Sequence, residues 1–154
     1  MRSELATLIA QRRKLKLSGA RVVFTNGCFD LLHAGHVALL EQAKALGDVL
    51  IVGINSDQSV RALKGPERPL LPEAERRETL LALEAVDQVL IYDEATPLET
   101  IAALVPDVLV KGADWAEDKV VGREIVERAG GKLVRVPLVA GRSTTALLEQ
   151  IRRS

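Results

Sequence analysis

Aromatic residues are scarce in this chain. Phe24, Phe29, Tyr92 and Trp115 make up 3% of its 154 residues, while hydrophobic residues of all kinds make up 47%. The core must therefore be aliphatic, built from Val, Leu, Ile and Ala. Cysteine is nearly absent: Cys28 stands alone, which excludes an internal disulfide framework and a Cys-rich zinc site and suits a reducing cytoplasm. Net charge is also absent, because 21 Lys and Arg balance 21 Asp and Glu. A neutral chain argues against bulk electrostatic binding to nucleic acid or to an anionic membrane, but leaves room for a small anion held by a local cluster. The longest apolar run, Val49 to Ile54, falls far short of the roughly 18 residues a membrane helix needs. No apolar stretch near the N-terminus resembles a secretion signal. No repeat, low-complexity segment or flexible linker divides the chain. The expectation is one soluble, cytoplasmic unit, large enough to hide about 70% of its unfolded surface.

What is present is an alternation of short apolar runs and longer amphipathic stretches. Residues 21–26, 49–54, 88–91, 108–110 and 132–136 read as strands, β-branched and bounded by turn residues. Residues 1–17, with Leu5, Leu8 and Ile9 at helical spacing, read as a leading helix. Residues 36–46 place Val37, Leu40, Ala43 and Leu46 near one face, with Gly47 as a stop. Pro72 and Pro97 are placed to occupy first helical positions, and Ser143-Thr144-Thr145 offers hydroxyl caps for a last helix to Arg152. Five strands alternating with helices predict an α/β fold: a Rossmann-like, doubly wound parallel sheet with helices on both faces. Ligands of such sheets bind beyond the carboxyl ends of the strands, near the point where strand order reverses.

The turn after the first strand reads Asn26-Gly27-Cys28-Phe29-Asp30-Leu31-Leu32-His33-Ala34-Gly35-His36. It lacks the G-x-G-x-x-G fingerprint of dinucleotide binders, which weakens an oxidoreductase reading. It holds both histidines of the chain, three residues apart where a helix begins, a spacing that puts them on one helix face. Gly35 between them lets a ligand approach the backbone, and a helix start offers N–H groups and positive dipole charge to phosphate. Two other readings of the bare pair stand beside this one: surface residues of an ordinary first turn, or a zinc site needing a third ligand, for which only Asp30 is near.

The pattern Gly27-x-Phe29-Asp30-x-x-His33-x-Gly35-His36 resembles the signature of the H-x-G-H nucleotidyltransferase superfamily. Along nearly the whole chain the resemblance is to the adenylyltransferase half of bacterial ADP-heptose synthases. It is carried further by Asn55-Ser56-Asp57, Leu63-Lys64-Gly65 with Arg68-Pro69, Leu83-Glu84-Ala85-Val86-Asp87, Pro106 to Gly112, and Gly141-Arg142-Ser143-Thr144-Thr145. This resemblance implies a nucleotidyltransferase domain over residues 1–154, transferring AMP from ATP to a heptose 1-phosphate with release of pyrophosphate. The alternatives are a cytidylyltransferase using CTP and glycerol 3-phosphate or a similar small phosphate, and a nucleotide-binding module without turnover. A sugar-kinase domain that accompanies this one in full-length relatives is expected to be a separate protein or absent.

A phosphate monoester is already mostly a dianion at neutral pH, so the implied reaction needs no protein nucleophile. It needs two mutually repelling anions aligned, and charge stabilised on the α-phosphoryl and the departing pyrophosphate. Magnesium, held mainly by the triphosphate itself, would orient the leaving group. Following the family pattern, His36 and His33 donate to the triphosphate, with His36 at the α-phosphoryl group. Thr25, Asn26, Gly27, Cys28, Phe29, Asp30 and Gly35 complete the nucleotide turn, Cys28 as a small unreactive residue and Asp30 orienting a histidine, the metal or the substrate. Ser143, Thr144 and Thr145 resemble a second phosphate-gripping helix start, although alone they read equally as a plain N-cap. Residues 61–77 carry five positive and three negative charges, and from these Lys64 and Arg76 match the family's basic positions for the acceptor and the transferring group. Asp30 and Asn55 join them on the acceptor side. Lys64 to Leu71 reads as a loop able to close over the site, or as a solvated charged loop. Lys111, Gly112 and Asp114 follow the fourth strand, where relatives contact base and ribose. Ala113 there replaces a glycine common in adenylyltransferases and Trp115 resembles the cytidylyltransferase version, so adenine and cytosine both stay open. The resemblance also implies a homodimer.

Overall fold

The computed structural model describes residues 2–114, 116–137 and 144–153. Its centre is a sheet of β1 (Val22–Gly27), β2 (Val49–Asn55), β3 (Gln88–Tyr92), β4 (Val108–Gly112) and β5 (Lys132–Val136). Every pairing is parallel and the order is β3-β2-β1-β4-β5, so the chain runs outward from β1 to β3 and then crosses to β4 on the other side. The helices are α1 (Arg2–Leu17), α2 (Ala34–Lys44), α3 (Asp57–Lys64), α4 (Glu73–Leu81), α5 (Leu98–Leu104), α6 (Arg123–Arg128) and α7 (Thr144–Arg153), with a short 3₁₀ turn at Glu117–Lys119.

Strand side chains alternate between two aliphatic layers, as a sheet covered on both faces requires. Val23, Leu50, Val52, Ile54, Val108 and Val110 pack with Leu40 and Ala43 of α2 and Leu80 of α4. Val22, Phe24, Ile51 and Leu109 pack on the opposite face with Leu8 of α1, Ile101 and Leu104 of α5, and Val126 of α6. The helices after β1 and β4 thus lie on opposite faces, which opens the crevice between those strands where the order reverses.

The expected strands are all present, and the helix boundaries shift in informative ways. α2 begins at Ala34, so His33 is its N-cap, with extended backbone, rather than a residue on its face. Pro72 and Pro97 sit one position earlier than expected, as N-caps. Two short helices, α3 and α6, were not anticipated; at eight and six residues they offer little periodicity to read.

One buried cation fixes the leading helix to the sheet. Arg12, 7% exposed, donates to the Leu104 and Val105 carbonyls at the left-handed end of α5, where carbonyls lack helical partners. It also pairs with Asp107 at 3.1 Å, and Asp107 in turn accepts the Val22 N–H at 2.8 Å. Arg12→Ala is expected to lower the free energy of unfolding by about 2 kcal/mol, seen as an earlier urea midpoint with an unchanged slope.

Candidate active site

The turn from β1 into α2 is set by two steric facts. Phe29 adopts a left-handed backbone, φ 48°, uncommon for a bulky residue. Its ring lies so close over Gly27 that a Cβ there would meet it at 2.9 Å, so any larger residue would force the buried ring to shift. The same ring is buried and packs 5.2 Å from the His36 ring, supporting it from below.

The two histidines form a reciprocal cap. His33 Nδ1 accepts the Gly35 N–H at 3.1 Å, and His36 Nδ1 accepts the His33 N–H at 3.3 Å. This is a capping box in which imidazoles replace the usual hydroxyl and carboxylate. The rings stack with centroids 3.8 Å apart. Because each Nδ1 is an acceptor, the proton of each neutral ring resides on Nε2, an assignment made from the hydrogen bonds. Burial, then the facing His33 ring, draws the His36 pKa down to about 4, with a backbone bond at Leu31 acting the other way. At neutral pH His36 is an uncharged donor at a helix start.

Four residues that the sequence places in the site are buried in its frame, with their polar groups bonded to other parts of the chain. Asp30 has no exposed side-chain surface; it accepts from the Leu70 and Leu71 N–H groups and from Arg68 Nε at 2.9 Å. Burial pushes its carboxyl upward, but those N–H groups and Arg68 outweigh burial and hold it below the usual aspartate value. Arg76, 1% exposed, donates to the carbonyls of Cys28, Asn55 and Leu71 and to Asp57. Thr25 is fully buried and its hydroxyl donates to the Val110 carbonyl, tying β1 to β4. Asn55 is 4% exposed, and its amide accepts from Tyr92 and Cys28 and donates to Ser59. Holding these groups inside is what lets backbone segments distant in sequence meet at one place.

A polar row crosses the carboxyl edge of the sheet on the α1–α5–α6 face. Tyr92 Oη accepts from Asn26 Nδ2 and donates to Asn55 Oδ1, both at 3.1 Å, and burial pushes its pKa up to about 12, so it keeps its proton. Lys111 continues the row on β4; its Nζ donates to the Asn26 carbonyl at 3.4 Å. Burial lowers the Lys111 pKa to about 8, with Asp114 and Cys28 acting the other way. Gly112 is buried and Asp114 exposed just beyond. Sequence reasoning missed Tyr92 and Ser59 and read Arg68 only as part of a motif and a basic cluster; their roles depend on partners from other strands and loops, and only the polarity of Tyr92 at a strand end hinted at one.

Lys64 ends α3, exposed, and does not join the buried cluster. With Pro66 and Arg68 of the following loop it lines a groove of about 470 Å³ against Leu148 and Arg152 of α7. Thr144 and Thr145 open α7. Ser143, Gly141, Arg142 and Trp115 lie outside the described residues. Among the described residues no three His, Cys, Asp or Glu side chains gather as a metal cage, and Asp30 is committed to its loop. The described residues therefore offer no metal cage of their own. No helix among the described residues is long and apolar enough to cross a membrane.

A parallel sheet with an uncharged imidazole donor, His36, at the start of α2, beside the switch in strand order, is the arrangement of a nucleotide-handling α/β domain. The chain belongs to the cytidylyltransferase-like family, a nucleotidyltransferase family whose model matches residues 24–150. It is 59% identical over 137 residues to a protein from Azorhizobium caulinodans named bifunctional protein HldE, covering 89% of this chain and 29% of that one. The namesake from Geotalea uraniireducens is 55% identical over 148 residues, 96% of this chain and 30% of the relative. The chain thus spans under a third of the length of these relatives. Among solved structures, the lipopolysaccharide core biosynthesis protein of Thermoplasma volcanium superposes with a TM-score of 0.64 at 27% identity, over 79% of this chain and 98% of that one.

Two outcomes follow from this geometry. In a histidine NMR titration, His36 is expected to titrate near pH 4 and to show Nε2-protonated signals at pH 7. Since the unfolded ring takes its proton near pH 6.5, stability should fall as pH drops from there towards 4; a midpoint near 6.5 contradicts the buried site. Asp30→Asn should lower unfolding free energy by about 1–3 kcal/mol at pH 7. Its folded pKa is depressed, so the difference from wild type should shrink as pH falls below 3.8 and through the folded value.

Proposed function

We propose that this chain transfers the AMP group of ATP to a heptose 1-phosphate, forming ADP-heptose and pyrophosphate. The observation that carries the reading is the reciprocal imidazole cap, which fixes both rings at the phosphate-binding end of α2. Sequence supports it as well: the chain shares 52–59% identity with several proteins named bifunctional protein HldE, and it carries the adenylyltransferase motifs described above.

On this reading the triphosphate lies across the start of α2. His36 Nε2–H donates to the α-phosphoryl oxygens and His33 to the adjoining phosphate, with backbone N–H groups of the turn beside them. A neutral donor placed where charge develops stabilises the transition state without a proton transfer. The acceptor phosphate, already a dianion, approaches from the side of Lys64 and the loop that follows it. Asp30 and Arg76 hold that loop and the nucleotide turn at a fixed separation, which supplies the alignment two anions need. Thr144 and Thr145, with Ser143, serve the β- and γ-phosphates, and the turn at Lys111, Gly112 and Asp114 borders base and ribose. Magnesium enters as an ion carried by the triphosphate, and no step is assigned to it. A cytoplasmic homodimer completes the proposal.

Pyrophosphate release measured with ATP or CTP against heptose 1-phosphate or glycerol 3-phosphate tests the reading directly. Turnover is expected with ATP and the heptose 1-phosphate; turnover with CTP and glycerol 3-phosphate alone would replace it with the cytidylyltransferase reading. His36→Ala should lower kcat by about 10²–10³, the loss that follows removal of one transition-state donor. A folded His36→Ala protein with normal turnover removes His36 from the chemistry.

A further inference from the structure

Apart from the uncharged imidazole cap, the carboxyl edge of the sheet carries a cationic feature. Lys111 on β4 and Arg135 on β5 are direct register partners. Both continue the alternation of Leu109 and Leu133, which pack in the α1–α5–α6 layer, so the two cations share that face at the end of their strands. Like charges on adjacent positions of neighbouring strands repel one another, a cost that an anion seated over them removes. Lys111 is the inner member: its Nζ reaches across the crevice to the Asn26 carbonyl, at the end of β1 and beside the nucleotide turn.

We propose that Lys111, backed by Arg135, is a second anion subsite that binds the nucleotide's phosphate chain where it crosses the end of β1. The inference rests on the nucleotidyl-transfer reading and extends it. It moves the Lys111 side chain from a base or ribose contact to the phosphates, leaving the backbone of its turn for the nucleoside. The two faces of the crevice then grip one polyphosphate differently, with uncharged N–H donors from α2 and ammonium charge from β4. A half-buried ammonium at this place suits an anionic ligand, because charge-assisted hydrogen bonds strengthen as water is excluded.

Calorimetric titration of the whole chain with ATP, pyrophosphate and adenosine tests this. Lys111→Met should weaken ATP and pyrophosphate at least tenfold and leave adenosine unchanged, as loss of one charge-assisted hydrogen bond predicts. Arg135→Gln should weaken the same two ligands by about two- to fivefold, as an exposed charge contributes less. In the wild-type protein, the Lys111 Nζ resonance should move on adding pyrophosphate and stay in place on adding adenosine, which covers the case of a variant that does not fold. Equal losses for ATP and adenosine, or unchanged pyrophosphate affinity beside intact ATP binding, overturn the subsite while leaving nucleotidyl transfer standing. A wild-type chain that binds neither ATP nor pyrophosphate overturns both.

Discussion

The site is organised by one buried guanidinium. Arg76 donates to the carbonyl of Cys28 in the nucleotide turn, to that of Asn55 at the end of β2, to that of Leu71 in the loop before α4, and to Asp57 at the start of α3. Burying a charge costs several kcal/mol, and hydrogen bonds to charged groups offset about 1.5–3 kcal/mol each, so a cation with four such bonds is tolerable where a bare one is not. The planar fork matters as much as the charge. Its donors diverge at fixed angles and reach three carbonyls from separate segments at once.

Asp30 is the anionic counterpart of that clamp. It follows Phe29, whose left-handed backbone turns the chain inward, and its carboxylate ties the first turn to Arg68, Leu70 and Leu71. Backbone strain of this kind costs about 1–3 kcal/mol and persists only where its surroundings enforce it. Here the Phe29 ring over Gly27 and the bonds made by Asp30 do so. Asp30 and Arg76 both join the turn after β1 to the loop between α3 and α4. The part of the site assigned to the nucleotide and the part assigned to the acceptor therefore cannot move independently.

This construction explains what the sequence made legible. The five strands were visible because each is a short β-branched or aliphatic run buried on two faces, and the sheet order follows from parallel crossovers. The histidines were visible because their capping role is local: every bond in it lies between residues 33 and 36. The internal partners of Asp30, Arg76, Thr25 and Asn55 were not legible in the sequence. A charged or polar residue in a motif reads as a ligand contact, and nothing in a linear pattern shows that partners such as the Val110 carbonyl of Thr25, the Leu70 amide of Asp30 or the Cys28 carbonyl of Arg76 lie 40 to 85 residues away. Tyr92 escaped notice for the same reason, since its two amide partners come from β1 and β2.

The remaining question is why the groups nearest the proposed chemistry are uncharged in a chain with so many cations. A fixed positive charge binds a triphosphate strongly before reaction as well as during it, and uniform binding of that sort lowers KM without raising kcat. A neutral N–H donor at a helix start costs little to bury and gains most when charge builds on the oxygen it faces. Burial and the neighbouring ring hold His36 in that neutral form, with its pKa drawn down to about 4, well below neutral pH. On the proposed reading, the cations Lys64 and Lys111 then stand around the reacting centre and attract anions to it. The zero net charge of the whole chain is consistent with this division, because the site depends on where each donor is held and not on a general positive field.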